Sequence, residues 1–134
     1  MATPLELNEQ GFEGDKFLKE EFQRLIDKHE IFSIIETGTY LGNTTAQLAL
    51  MVDRVATIEA NPEYYKVASR HQGVGIDFQL GSSVDKLPRV IRAYAPMGPL
   101  LIFLDAHWGD NNPLIRELEI IAEEQIKPVI IIHD

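Results

Sequence analysis

Three acids, Glu36, Glu59 and Asp105, each stand at the end of a short apolar run, with small or polar residues just beyond. The first belongs to the stretch Ile34-Ile35-Glu36-Thr37-Gly38-Thr39-Tyr40-Leu41-Gly42-Asn43-Thr44-Thr45. Gly38 and Gly42 bracket a loop in which a ligand can approach the main chain, because no side chain stands in the way. Asn43, Thr44 or Thr45 can cap a following helix, whose first N–H groups then point at the same place. Glu59 lies 21 residues after Gly38, close to the offset at which an acid accepts hydrogen bonds from a ribose diol. The glycine spacing is G-x-x-x-G rather than G-x-G-x-x-G, and no phosphate-loop lysine follows. The chemistry indicated is therefore binding of a nucleoside that lacks a pyrophosphate. Glu36 supports this, since an acid beside the loop repels phosphate and favours an amine or a sulfonium cation.

For these groups to meet, each must sit at the carboxyl end of a strand in one parallel sheet. The pattern supplies such strands at 32–37, 55–59, 76–80, 100–104 and 128–132. The fourth, the most apolar, is expected to be central. Helices alternate with them. Phe17, Leu18, Phe22, Leu25 and Ile26 recur at helical spacing between Gly14 and Glu30. A second helix is expected over 44–51, and a third starts with Asn61 as cap and Pro62 at the first position and runs to near Gly73. After the Gly81-Ser82-Ser83 turn comes a helix over 84–94, interrupted at Pro88, and a last one runs from Pro113 to about Gln125. Five alternations predict an α/β, Rossmann-like three-layer sandwich on a mostly parallel five-stranded sheet. Residues 1–134 read as a single domain, with 1–13 as a loose arm.

Bulk composition narrows the partners. The 134 residues carry a formal net charge of −9, which argues against a nucleic-acid backbone as ligand. There is no cysteine, so thiolate metal sites, disulfides and cysteine nucleophiles are excluded. The opening MATPLELNEQ lacks the pattern of a secretory signal, and no apolar run approaches the ~20 residues that span a bilayer. These features give the expectation of a cytoplasmic protein that binds neither nucleic acid nor membrane. Ile and Val on the open sheet edges make self-association into a homo-oligomer an expectation as well.

In order, ETGTYLGNTTAQLA, VATIEANPEYY, IDFQLGSSVDKLP, LLIFLDAHWGD and VIIIHD resemble the motifs of class I S-adenosylmethionine-dependent methyltransferases. Within that superfamily the chain is most similar to small-molecule O-methyltransferases of the catechol O-methyltransferase type. The resemblance implies S-adenosylmethionine as cofactor and a small-molecule methyl acceptor. It places Glu36, Gly38, Tyr40 and Gly42 around the methionine part, the acid holding its amino group directly or through water, with Asn43, Thr44 and Thr45 closing the loop. It puts Glu59 on the ribose, Ala60 beside the adenine, and Gly81, Ser82 and Ser83 at the adenine edge. Asp105 would lie under the sulfonium, with His107 and Trp108 packed on the nucleoside.

Two departures from the family pattern bear on catalysis. Catechol-type enzymes hold Mg2+ between acids at the ends of strands four and five, which match Asp105 and Asp134 here. Their catalytic lysine, however, falls at Gly109 or Asp110 in this sequence. His107 or His133 is then the expected base, since histidine suits proton abstraction near neutral pH. The family also adds a helix and two strands beyond the fifth strand, and the sheet expected here lacks those two strands. The rival reading is a shortened module that binds the nucleoside but transfers nothing by itself. A nicotinamide-binding domain is a weaker third reading, because of the glycine spacing.

Overall fold

A computed structural model describes residues 11–70, 75–106 and 112–133. The elements, in order, are α1 (Lys16–His29), β1 (Ser33–Thr37), α2 (Asn43–Ala49), β2 (Arg54–Glu59), α3 (Pro62–Ala68), β3 (Ile76–Leu80), α4 (Ser83–Tyr94), β4 (Leu100–Leu104), α5 (Leu114–Glu123) and β5 (Val129–Ile132). Single 3-10 turns lie at Gly11–Gly14 and Ala95–Met97. The five strands form one sheet in the order β3-β2-β1-β4-β5, and all four neighbouring pairs are parallel. The expected α/β architecture is therefore present.

β1, not β4, is the middle strand. The apolarity of Leu100–Leu104 reports burial on both faces, and β4 has that burial beside β1 without being central. After β3 the chain returns to the other side of β1 to form β4. That reversal opens a crevice beyond the carboxyl ends of β1 and β4, where open α/β sheets hold ligands. The register brings the ends level, with Thr37 opposite Ile58 on one side and Leu104 on the other.

Alternation along the strands divides the core in two. Ile35, Ala56, Ile58 and Ile102 pack with Leu87, Val90 and Ile91 of α4 and Ile120 and Ile121 of α5. Ile34, Val55, Leu101 and Phe103 pack with Phe22 and Ile26 of α1, Leu48 of α2 and Phe12 of the first 3-10 turn. Phe22 sits at the centre of an aromatic chain, its ring centroid 5.1 Å from that of Phe12 and 4.9 Å from that of Phe103. Phe12 lies within the stretch expected to be a loose arm, yet it is fully buried, and its N–H donates to Thr44 Oγ1 at 2.8 Å.

Local chemistry sets most boundaries. Asp15 caps α1 by accepting from the Leu18 N–H, and Asn61 caps α3 by accepting from Glu63 and Tyr64, with Pro62 at the first turn as expected. α3 ends at Ala68, short of the expected limit near Gly73. The expected side-chain cap on α2 is absent. Gly42 occupies that position at φ 86°, a left-handed conformation open to glycine, while the threonines turn to other partners. α4 runs through Pro88 without a break. The proline removes one backbone bond, and the buried Leu87, Val90 and Ile91 hold the helix against the sheet regardless.

Ser33, at the start of β1, is fully buried, and its hydroxyl has no hydrogen-bond partner among the described residues. Such a group costs about 1 kcal/mol or more in desolvation. Ser33→Ala is therefore expected to raise the melting temperature by roughly 3 °C for a chain of this size. A lower melting temperature would show that the hydroxyl has a partner.

Candidate functional site

The crevice at the sheet edge has a volume of about 440 Å³, within the ~300–1,000 Å³ typical of small-molecule sites. Gly38, Glu59, Ala60, Ser82 and Ser83, five of the residues singled out from sequence, line it. Ala106, Asn112 and Pro113 complete the wall on the β4 side, and sequence reasoning did not find them as site residues.

The glycine loop is seated on both neighbouring strands. Gly38 N–H donates to the Ile58 carbonyl at 2.9 Å, and Asp105 N–H donates to the Thr37 carbonyl at 3.2 Å and to its hydroxyl at 3.1 Å. Gly38 has φ 82°. A β-carbon placed there would meet the Asp105 carbonyl oxygen, lying 2.8 Å from its carbon and 3.0 Å from Ala106 Cα. The loop after β1 thus lies directly against the backbone after β4.

Glu59 holds that loop from the β2 side. One carboxylate oxygen accepts from the Tyr40 N–H at 2.7 Å and the other from the Asn61 N–H at 2.9 Å. Tyr40 itself is left-handed at φ 54°, and its ring packs edge-on against Tyr64 of α3 with centroids 4.8 Å apart. Ser83, in the first turn of α4, is buried, while Ser82 before it is exposed and makes no side-chain cap.

Glu36 lies behind the loop. It is 1% exposed and is not part of the crevice lining. Its Oε1 accepts from the Thr57 hydroxyl at 2.7 Å and from the Thr45 hydroxyl, so the carboxyl ties β1 to β2 and α2. The Thr39 hydroxyl lies 2.5 Å from that of Thr57 and extends the network into the loop. Burial above all pushes the Glu36 carboxyl up to about 8, outweighing the two hydroxyls, and nearby Asp105 and Glu59 raise it further. A folded-state value above the unfolded one means that this acid favours the fold most below about pH 4.5, and that the contribution is lost as pH rises towards 8. Glu36→Gln keeps an oxygen for both threonines and removes the ionisation. Urea unfolding at pH 5 and pH 8 is expected to show a smaller difference for the variant, by a few kcal/mol. An unchanged difference would place the ionisation elsewhere.

At the β4–β5 end of the edge, Asp105 Oδ1 lies 3.1 Å from His133 Nδ1, and the His133 N–H donates to the Leu104 carbonyl at 3.1 Å. His107, Trp108 and Asp134 fall outside the described residues. Among the described residues no group of three or more histidine, aspartate or glutamate side chains is placed to hold a metal ion, so the Mg2+ expectation rests there on Asp105 alone. Gly42 and Asn43 to Thr45 are not part of the crevice lining; Thr44 accepts from the Phe12 N–H and Thr45 donates to Glu36, and Gly81 N–H donates to the Glu59 carbonyl at 2.9 Å.

No family model and no curated protein sequence matches the chain. Solved structures do. The O-methyltransferase TomG from Streptomyces achromogenes, in complex with SAM, matches with a TM-score of 0.68 and 22% identity over 88% of this chain and 55% of that one. The O-methyltransferase from Bacillus cereus, in complex with SAH, matches with 0.59 and 24% over 79% and 52%. A precorrin 8w decarboxylase from Methanobacterium thermoautotrophicum matches with 0.58 and 22% over 87% and 61%. The chain shares its Rossmann-like α/β fold with these solved structures, and it spans about half the length of the two O-methyltransferases. At these identities the likeness speaks for the fold, and one fold hosts more than one chemistry.

Proposed function

We propose that this chain holds S-adenosylmethionine at the sheet edge and serves the methylation of a hydroxyl on a small molecule. One observation carries the reading. Gly38, pressed against the backbone after β4, and Glu59, pinned by two backbone amides, line a single crevice with Ser82 and Ser83. This arrangement presents bare main chain and a fixed carboxylate to the same ligand, which fits a nucleoside, and the Gly38–Gly42 spacing lacks the dinucleotide fingerprint.

Each Glu59 oxygen retains a second lone pair for a ribose hydroxyl. Ala60 would then flank the adenine and Ser82 and Ser83 its edge, with the Gly38 main chain and the Tyr40 loop along the methionine part. In this reading Glu36, Thr45 and Thr57 hold the loop in shape from behind. When bound, the cofactor supplies an electrophilic methyl group on a sulfonium sulfur. The residues lining the crevice would align an acceptor oxygen with that methyl group. The acceptor's proton needs a destination. With Asp105 accepting from Nδ1, His133 keeps the lone pair on Nε2 and can take the proton there. The remaining contribution of the chain is alignment in a fixed electrostatic setting. The described residues supply no full metal set, so no step is assigned to Mg2+.

Calorimetry with S-adenosylmethionine, S-adenosylhomocysteine and NAD tests the cofactor. Binding of the first two and not of NAD is the expected result, and the reverse would overturn the reading. A methyl-release assay on a hydroxyl panel, with and without Mg2+, tests transfer. Tight cofactor binding with no turnover would instead assign a binding module.

A further inference from the structure

We propose that Tyr64 is a positioning residue for the cofactor: its ring fixes the left-handed turn at Tyr40 and, through that turn, the Glu59 carboxylate that lines the crevice. This rests on the cofactor reading above. Four links close a circuit around the carboxyl end of β2. Glu59 accepts from the Tyr40 N–H at 2.7 Å and from the Asn61 N–H at 2.9 Å. Asn61 Oδ1 in turn accepts from the Tyr64 N–H at 3.3 Å, which seats Tyr64 in the first turn of α3. The Tyr64 ring then meets the Tyr40 ring edge-on, with centroids 4.8 Å apart and planes at 71°. Of these four residues only Glu59 lines the crevice.

Tyr40 is the link that needs support. Its φ of 54° is a conformation that a residue with a β-carbon adopts at a cost. Gly38 and Gly42, on either side of it, are left-handed as well, but neither has a β-carbon to oppose the turn. Tyr40 is 47% exposed, so burial alone does not hold it. An edge-to-face aromatic pair is directional, and its worth is of the same order as the conformational cost. Where the turn relaxes, the Tyr40 N–H leaves Glu59, and the carboxylate keeps only its bond from Asn61. Tyr64 therefore acts through Tyr40 and Glu59, and takes no part in the bond changes.

The test uses the full chain and two readouts, one of them without ligand. In the ligand-free protein, hydrogen exchange at the residue 40 amide is expected to speed up about fivefold in Tyr64→Ala, the scale of one aromatic edge contact. Tyr64→Phe keeps the ring and is expected to exchange at the native rate. Calorimetry with S-adenosylhomocysteine is expected to show affinity reduced about fivefold in Tyr64→Ala and restored to within about twofold of native in Tyr64→Phe. Tyr40→Gly supplies a background in which the turn forms unaided and no ring remains to be held. There, adding Tyr64→Ala is expected to change neither readout. Tyr64→Leu, bulkier than alanine but without a ring edge, carries the test if the alanine variant does not fold. Native exchange in Tyr64→Ala, a phenylalanine variant as impaired as the alanine one, or an undiminished loss in the Tyr40→Gly background would overturn the proposal. Failure of the native chain to bind S-adenosylhomocysteine would instead remove the reading beneath it, while the exchange rates still decide whether Tyr64 holds the turn.

Discussion

Glu59→Gln is expected to weaken binding of S-adenosylhomocysteine by roughly a hundredfold, the loss of about one to two hydrogen bonds to a charged acceptor. The carboxylate accepts from two backbone N–H groups at once, those of Tyr40 and Asn61. A glutamine has one acceptor oxygen. Its amide nitrogen would face whichever N–H the oxygen does not reach, so one of the two loops is released. The loop through Tyr40 carries the Gly38–Gly42 turn, and the one through Asn61 starts α3. The variant therefore loses ligand contact and preorganisation together. Glu59→Asp keeps the charge but is too short to span both amides, and it is expected to fall between the native chain and the glutamine variant. Calorimetry gives the affinities, and a thermal melt checks that the sheet persists. Affinity within about threefold of the native value for Glu59→Gln would detach this residue from the ligand.

The parts of this molecule that were legible in its sequence are those fixed by local chemistry. Asn61-Pro62-Glu63 marks a helix start because the cap, the fixed proline torsion and the helix dipole act within a few residues, and α3 begins there. Strand ends were legible because apolar runs stop abruptly at Glu36, Glu59 and Asp105, and parallel pairing brings those stops level. What depends on distant neighbours was hidden. Composition could not place β1 at the centre, since a strand beside the middle is as buried as the middle one. It could not show that Thr45 and Thr57 take hold of Glu36. Asn112 and Pro113 join the crevice only because α5 starts beside the carboxyl end of β4.

Gly38→Ala is expected to cost several kcal/mol of stability and to abolish cofactor binding, through a mechanism that a second variant can isolate. The added methyl group would have to occupy space 2.8 Å from the Asp105 carbonyl carbon and 3.0 Å from Ala106 Cα. Both are backbone atoms, and the Asp105 backbone is bonded to Thr37 of β1. No flexible side chain can yield, so relief requires parting the loop after β1 from the backbone after β4, the seam on which the crevice is built. Gly14 provides the control. It shares a left-handed conformation, φ 76° against 82°, but a β-carbon there would meet nothing within 4 Å. Gly14→Ala should therefore incur only the torsional penalty, about 1 kcal/mol, and leave ligand affinity intact. The contrast between the two alanines, read by urea unfolding and by calorimetry with S-adenosylhomocysteine, separates backbone conformation from close approach. Equal losses in the two variants would mean that the contact between Gly38 and Asp105 is not what shapes the crevice.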